Sequence, residues 1–442
     1  MEHSDGGDFG FVAGGEVRPG PIANCIDLTH HSPLPRLTPQ LSPILMEPHL
    51  SPRSLSWLVP VAALLISTVM PGHAAERETR LQAELSYGYD SNPLELTDEV
   101  PLAGRSPSAA GFAQVSLDSR HSHQWNPRAG FFVAAAGRAR SYGSSLEDAD
   151  TSQGRVEAGL GMVLAARGER RLSAALRASY GKASSTFVDP ATGEVYAIAD
   201  PNSRLEIPDR FDSDVVSLNL DLRLRVSRNL LFMLDSGLQR SDYADDYDRI
   251  STLEPLDDRS YAFRPGARWQ ISPRVRLDLT AELGGTRYDE LPALESDATT
   301  AVGTRRRYRS SGLRSAVRVD PTGALSFSLG VDMSDREDLH AGYYDASGIR
   351  SFLSAAWQPV ERTRIALHIS QASFDYERAV IDPTTNSDVR GGDRLRVVAG
   401  LERELHARLV LFGEGGSVRS DNEDPLYSFD RNWALAGLRF RL

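Results

Sequence analysis

The stretch "DVVSLNLDLRLRV", residues 214–226, alternates without a break. Val216, Leu218, Leu220, Leu222, Leu224 and Val226 fall on one face, and Ser217, Asn219, Asp221, Arg223 and Arg225 fall on the other. A period of two belongs to a β-strand, whose successive side chains point to opposite sides. The segment therefore predicts a strand with one apolar and one charged face.

The same alternation recurs along the chain. Leu81, Ala83, Leu85, Tyr87 and Tyr89 oppose Gln82, Glu84 and Ser86. Val156, Ala158, Leu160, Met162 and Leu164 oppose Arg155 and Glu157. Val275, Leu277, Leu279, Ala281 and Leu283 oppose Arg276, Asp278, Thr280 and Glu282, and Ile365, Leu367 and Ile369 oppose Arg364, His368 and Ser370. Such segments predict about sixteen strands of roughly 10–15 residues, enough for a tilted crossing of a bilayer.

The connections differ at the two ends. Every second strand is followed by a short one: "SHQWNP", "GER", "SRN", "SP", "DPTG", "QPVE" and "ELHA". Most others are longer and polar, the largest spanning 182–210, with further ones at 241–258 and 289–305. This predicts an all-β, closed up-and-down antiparallel transmembrane β-barrel, with short periplasmic turns and long acidic extracellular loops. A β-sandwich or β-solenoid competes, but it explains neither the asymmetry of the connections nor the unbroken charged faces.

The chain has 442 residues, a formal net charge of −11 and one cysteine, Cys25. A mean hydropathy of −0.33 argues against a bundle of membrane helices and leaves a barrel open, because barrel strands are half polar. The acidic balance argues against a nucleic-acid partner. The apolar run "LSWLVPVAALLISTVM", Leu55–Met70, follows Arg53 and precedes Gly72 and Ala74, the pattern of a Sec signal peptide; a membrane anchor is the alternative. Because some fifty residues precede it, Met46 is expected to be the true start. Residues 1–45 then form a disordered leader or a start-site artefact, 46–75 the signal, and 76–442 the barrel.

Arginine dominates the polar faces. Expected pore-lining residues are Arg155, Arg223, Arg225, Arg264, Arg268, Arg276, Arg314, Arg318, Arg394 and Arg396, with Glu157, Asp221, Asp278 and Glu282 interleaved. Arg138, Arg140, Arg177 and Arg364 share these faces, as do Glu84, Asp118 and Glu402. Fixed guanidinium groups in a narrow lumen concentrate anions and can grip carboxylates or phosphates bidentately. The competing reading is that cross-strand Arg–Asp/Glu pairs fill and stiffen the lumen. Lys182 is the only lysine, so part of the arginine excess is a general usage.

Acidic residues gather in the connections at Asp242, Asp245, Asp246, Asp248, Glu254, Asp257 and Asp258, and at Asp421, Glu423 and Asp424. Their spacing fits no calcium loop, and a solvated face is expected. His368 and Ser370 lie two apart on one strand face, yet no third residue orients them, so no catalytic site is expected. No metal site and no cofactor are expected either.

Three tryptophans precede Pro/Arg segments: "WNPR" at 125–128, "WQISPR" at 269–274 and "WQPVER" at 357–362. Trp125, Trp269 and Trp357 are expected at the membrane interface, whose headgroup level suits an apolar ring bearing an N–H. Pro127, Pro273 and Pro359 are expected in the turns, with Arg128, Arg274 and Arg362 restarting the polar faces.

The last segment, "RNWALAGLRFRL" (431–442), resembles the carboxyl-terminal recognition strand of outer-membrane barrels, with Phe440 and Leu442 as the assembly signal. Leu442 stands where phenylalanine is usual. The resemblance implies the barrel assembly machinery as a partner. "AELSYGYDSNPLEL" (83–96) resembles the opening strand of Gram-negative β-barrel porin families. It also resembles the barrel of surface-lipoprotein assembly modifiers, where a "YDSN"-like segment follows the first strand. Those modifiers carry a periplasmic helical-repeat domain that is not read in this chain. The implied function is a porin-like outer-membrane channel for small hydrophilic or anionic solutes, with exopolysaccharide export as an associated role. The alternative is a barrel factor for surface-lipoprotein assembly, and a hydrolase comes last. Outer-membrane lipid and lipopolysaccharide are the expected surroundings.

Overall fold

The computed structural model describes residues 77–97, 107–143, 146–186, 188, 196–200, 203–206, 211–244, 256–382 and 386–442. The expected leader, the start at Met46 and the signal peptide lie outside them, as do Cys25, Asp245, Asp246, Asp248 and Glu254.

The first strands are β1 (Arg77–Asp90), β2 (Ala110–Asn126), β3 (Ala129–Tyr142), β4 (Thr151–Arg167) and β5 (Arg170–Ser185). A small hairpin follows, β6 (Tyr196–Asp200) with β7 (Ser203–Glu206). The chain continues with β8 (Ser213–Ser227), β9 (Leu230–Tyr243), β10 (Asp258–Ser272), β11 (Val275–Leu294), β12 (Thr300–Thr322) and β13 (Leu325–Asp338). It ends with β14 (Ala346–Val360), β15 (Thr363–Asp382), β16 (Asn386–His406), β17 (Leu409–Asn422) and β18 (Phe429–Arg441). All but β6 and β7 pair with their neighbours in a closed antiparallel barrel of sixteen strands. β18 returns to β1 in register from Gln82↔Arg441 to Asp90↔Trp433. Leu81 and Leu442 exchange backbone hydrogen bonds at 3.0 and 2.8 Å. Closure leaves no unpaired sheet edge, the condition for placing strands in hydrocarbon.

The alternation sets the two surfaces. Leu218, Leu238, Leu279, Leu329 and Leu411 are exposed on the outside, where they face no protein. Cross-strand partners such as Arg268↔Asp278 share the inside. Phe440 and Leu442 lie on the outward face of the last strand, in phase with Leu438.

Seven two-residue turns close one end: Pro127–Arg128, Gly168–Glu169, Arg228–Asn229, Pro273–Arg274, Gly323–Ala324, Glu361–Arg362 and Ala407–Arg408. Six of them adjoin a register shift in the ladder they close; at Gly168–Glu169 the shift lies further down, between Val163 and Ala165, and Arg167↔Arg170 closes the turn in register. In five turns the residue before the pair accepts the N–H two residues on: Asn126 at 2.8 Å, and Ser227, Ser272, Thr322 and His406 at 3.3 Å. For Asn126, Ser227, Ser272 and Thr322 this is the Asx- and ST-turn chemistry of short polar side chains, and the His406 ring nitrogen does the same work. Pro127 and Pro273 open their turns, where a fixed φ is useful and no N–H is needed.

Pro359 departs from expectation. It lies inside β14, and the turn falls at Glu361–Arg362, with Arg362 at φ 66°. Arg128, Arg274 and Arg362 are themselves turn residues and do not begin the next strands. Pro321 likewise lies within β12, beside the register shift at Val319/Thr322, a position where a missing N–H is tolerated.

At the other end the expected loop at 289–305 is largely ladder. β11 and β12 run on as a tall hairpin, through irregular pairs at Pro292↔Arg305 and Leu294↔Thr300. β15 and β16 extend likewise to Asp382↔Asn386. Strands of 20 to 23 residues exceed what a bilayer needs, since a tilted strand crosses it in about 9–11 residues. Asp242 and Asp258 are also strand residues, the first next to last in β9 and the second opening β10.

Candidate functional site

The inward positions of the strands form a charged lumen in which arginine outnumbers carboxylate. The expected pore-lining residues all lie on this face, and the structure divides them into two groups.

The first group is paired. Arg155 Nη2 meets Glu157 Oε2 at 2.7 Å. Arg177 bridges Glu157 at 3.8 Å and Asp221 at 2.6 Å. Arg268 and Arg276 hold opposite oxygens of Asp278 at 2.5 and 2.8 Å. Arg264 meets Glu282 at 2.8 Å, Arg314 meets Asp332 at 3.3 Å, and Arg318 meets Asp320 at 3.0 Å. Arg394 reaches Glu95 at 3.6 Å. Each of the four expected carboxylates is thus held by arginine. Some of these pairs cross strands, as Arg268–Asp278 and Arg314–Asp332 do in direct register, and others join residues two apart on one strand, as Arg155–Glu157, Arg276–Asp278 and Arg318–Asp320 do.

The second group is open. Arg223, Arg225 and Arg396, with Arg138 and Arg364, have no hydrogen bond or ion pair among the described residues. Arg138, Arg364 and Arg396 line one cavity of about 720 Å³ together with Arg140, Arg318 and Arg439. Its carboxylates are Glu84, Glu402 and Glu414. Arg439 takes both Glu84 and Glu402, the latter at 2.7 Å. Trp433 Nε1 donates to Glu414 at 3.4 Å. Arg140 spends two donors on Gln114, at 3.1 and 2.9 Å. Of the expected residues, the cavity gathers only Arg318 and Arg396.

Sequence reasoning missed a second set of lumen residues, the inward aromatics. Phe112, Phe132, Phe352, Phe412 and Trp433 each face a glycine directly across the ladder: Gly88, Gly159, Gly330, Gly437 and Gly416. The ring lies over that glycine. A Cβ on Gly88 would sit 2.5 Å from Phe112 Cζ, and one on Gly416 would collide with the Trp433 ring. An arginine then stacks on each ring. Arg140 is 4.3 Å from the centre of Phe112, Arg120 4.3 Å from Phe132 and Arg314 5.1 Å from Phe352. Arg439 is 5.1 Å from Phe412, and Arg396 5.7 Å from Trp433. Stacking fixes the guanidinium plane while leaving its in-plane N–H donors available. The available signal was an aromatic in the polar phase opposite a glycine, as at Trp433.

Two inward-packed clusters narrow the loop end. Asp90, with its side chain fully buried, receives Arg431 Nη2 at 2.6 Å and Tyr142 Oη at 3.1 Å. Arg431 also meets Glu95 at 2.7 Å. Asn92 donates to the Leu96 carbonyl at 2.7 Å and accepts the Leu96 N–H at 3.1 Å, which folds residues 92–96 back on themselves. Leu94 and Leu146 then pack on Phe112, Phe412 and Leu435. Further round the wall, Tyr343 and Tyr344 pack on Tyr308 and Tyr376, with Arg306 4.4 Å over the Tyr344 ring. Burial raises the Tyr344 phenol above its ordinary range.

His368 Nδ1 lies 2.8 Å from Ser354 Oγ on the adjacent strand, and Ser370 Oγ lies 3.5 Å from Arg350 Nη2. These are lateral contacts along the lumen wall. Trp125, Trp269 and Trp357 are exposed on the outward face, two to four residues from a turn.

No family model matches the chain, and no curated protein matches it. Among solved structures, the in-vitro folded trimer form of OmpT, an outer membrane protein of Vibrio cholerae, is 11% identical with a TM-score of 0.41, covering 84% of this chain and 100% of that one. An anion-selective porin from Comamonas acidovorans is 10% identical with a TM-score of 0.41, covering 84% and 100%. A bacterial polysaccharide outer membrane secretin is 10% identical with a TM-score of 0.38, covering 81% and 98%. Likenesses this distant transfer nothing about cargo. A closed barrel with an apolar outside and a charged inside is the architecture of the Gram-negative outer membrane, and the chain is an outer-membrane β-barrel.

Proposed function

We propose that the barrel is a porin-like channel that passes small hydrophilic solutes and favours anions. The observation that carries this is the excess of inward arginine over inward carboxylate, left uncompensated at Arg138, Arg364 and Arg396 on one cavity. A narrow lumen with fixed positive charge and low-dielectric walls concentrates anions and repels cations. The favoured cargo is a small anionic solute, and an acidic glycan threaded through the same lumen would meet the same arginines. In this reading the apolar exterior meets outer-membrane lipid and lipopolysaccharide. The outward Trp125, Trp269 and Trp357 sit at the headgroup level, and Phe440 and Leu442 present the last strand to the barrel assembly machinery. A role in surface-lipoprotein assembly draws on "YDSN", whose Asp90 and Asn92 instead hold the seam and fold the first loop.

Bilayer conductance tests the proposal. Refolded barrel in a potassium chloride gradient is expected to give a reversal potential of anion-selective sign. The triple change Arg138→Gln, Arg364→Gln and Arg396→Gln is expected to move that potential towards zero. A cation-selective potential would remove the anion preference. Silence from a barrel with intact circular dichroism would remove the channel.

A further inference from the structure

We propose that Arg138, Arg364 and Arg396 form a saturable binding site for a small hydroxylated polyanion, a solute with at least two carboxylate or phosphoryl groups. The site deepens the channel reading above and rests on it: the channel then selects a substrate class and does not merely sieve anions.

The free state of these arginines follows from register. An inward side chain reaches the residue directly across the ladder, with Cβ atoms about 5 Å apart. Arg138 faces Ser116 on one side and Gln153 on the other. Arg396 faces Ser370 and Val418. Neither pair offers a carboxylate. Arg364 does face an acid, Glu402, but Arg439 holds that acid at 2.7 Å and holds Glu84 as well. One arginine therefore consumes two of the cavity's three carboxylates. Next to this wall, Arg318 lies in register with Arg276, like beside like. Glu414 is the one lining carboxylate not held by an arginine among the described residues, against three arginines that hold no acid.

The geometry is also prepared for a ligand. Arg396 lies over the Trp433 ring at 5.7 Å, so its plane is set before anything binds. Arg138 and Arg364 are exposed, and exposure from an inward position means exposure to the lumen. The three come from separate strands, β3, β15 and β16, and line the one cavity. One monovalent anion can occupy one guanidinium fork; several forks are satisfied together only by a solute with several anionic groups. Ser328 and Ser354 line the same cavity and offer hydroxyl donors and acceptors for a hydroxylated backbone. The volume, about 720 Å³, is ample for such a molecule.

Calorimetry on the refolded full barrel in detergent tests the site, with citrate and glucose 6-phosphate as probes and acetate and glucose as controls. Saturable binding of at least one probe is expected, at least about tenfold tighter than acetate, since each added charge-assisted contact is worth about a factor of ten or more. Citrate alone would assign carboxylate recognition, and glucose 6-phosphate alone phosphoryl recognition. Arg396→Gln and Arg364→Gln are each expected to weaken binding about tenfold. Arg138→Gln, which removes no hydrogen bond or ion pair among the described residues, is the second variant should either fail to refold. Binding of neither probe, or of acetate as tightly as citrate, overturns the site. Anion-selective current without saturable binding sinks the site and leaves the channel. Saturable binding by a silent barrel leaves the site and sinks the channel.

Discussion

Arg431 and Arg396 lie over the same tryptophan, 5.9 and 5.7 Å from the centre of the Trp433 ring. Arg431, at the seam between first and last strands, is held by the buried Asp90 and by Glu95. Arg396, on the open wall, has no hydrogen bond or ion pair among the described residues. The two share residue type, inward direction and stacking partner. What separates them is an acid within reach: the end of β1 and its loop bring two carboxylates to Arg431, whereas register gives Arg396 only Ser370 and Val418. Inward arginine is therefore neither structural nor functional by itself in this lumen. Its neighbours across the ladder decide whether it is spent on closure or left open to the lumen.

The largest expected effect breaks the seam side of that comparison. Asp90→Leu leaves Arg431 in a site where its side chain is 18% exposed, with only Glu95 to balance it. Removing one partner of a buried pair costs about 3–5 kcal/mol. Urea unfolding of the refolded barrel should show that loss, while Arg396→Gln in the same assay should change stability by less than about 0.5 kcal/mol. Equal losses would erase the distinction between the two arginines.

Much of the barrel was legible because its signal is local. Period two in 214–226 reappears as β8, Ser213–Ser227, and the outward side chains are those the alternation assigned. The tall hairpins were not legible. Beyond the apolar belt a ladder has no lipid to face, so Asp289–Arg305 lacks alternation and reads as loop although it pairs. Pro359 misled for a related reason, since a proline beside a register shift resembles a turn proline in sequence. The site was half legible. Alternation placed Arg268 and Arg396 on the same inner face, but only register tells that Arg268 meets Asp278 and that Arg396 meets no acid. Register is a property of two strands, and neither strand's sequence states it alone.

A middle-sized effect tests the ring that both arginines share. Gly416 is the seat on which Trp433 lies. Gly416→Val would push the ring off the wall and carry both guanidinium groups with it. Overpacking of this kind costs about 1–3 kcal/mol. In urea unfolding the variant should fall between Asp90→Leu and Arg396→Gln. A loss matching Asp90→Leu would mean that the ring, and not the acid, holds the seam.

The smallest expected change in stability sharpens the comparison on the paired wall. Asp278 lies between Arg268 and Arg276, both partly exposed to the lumen. Ion pairs so placed are worth about 0–1 kcal/mol, because water screens them and long side chains lose freedom in forming them. Asp278→Asn should therefore leave unfolding almost unchanged. It also deletes one negative charge and releases two guanidinium groups, which turns a stretch of paired wall into open wall. The reversal potential in a salt gradient should then move further in the anion-selective direction. An unmoved potential would show that solute passes along the β3, β15 and β16 side alone, because a charge unmasked in its path cannot be electrically silent.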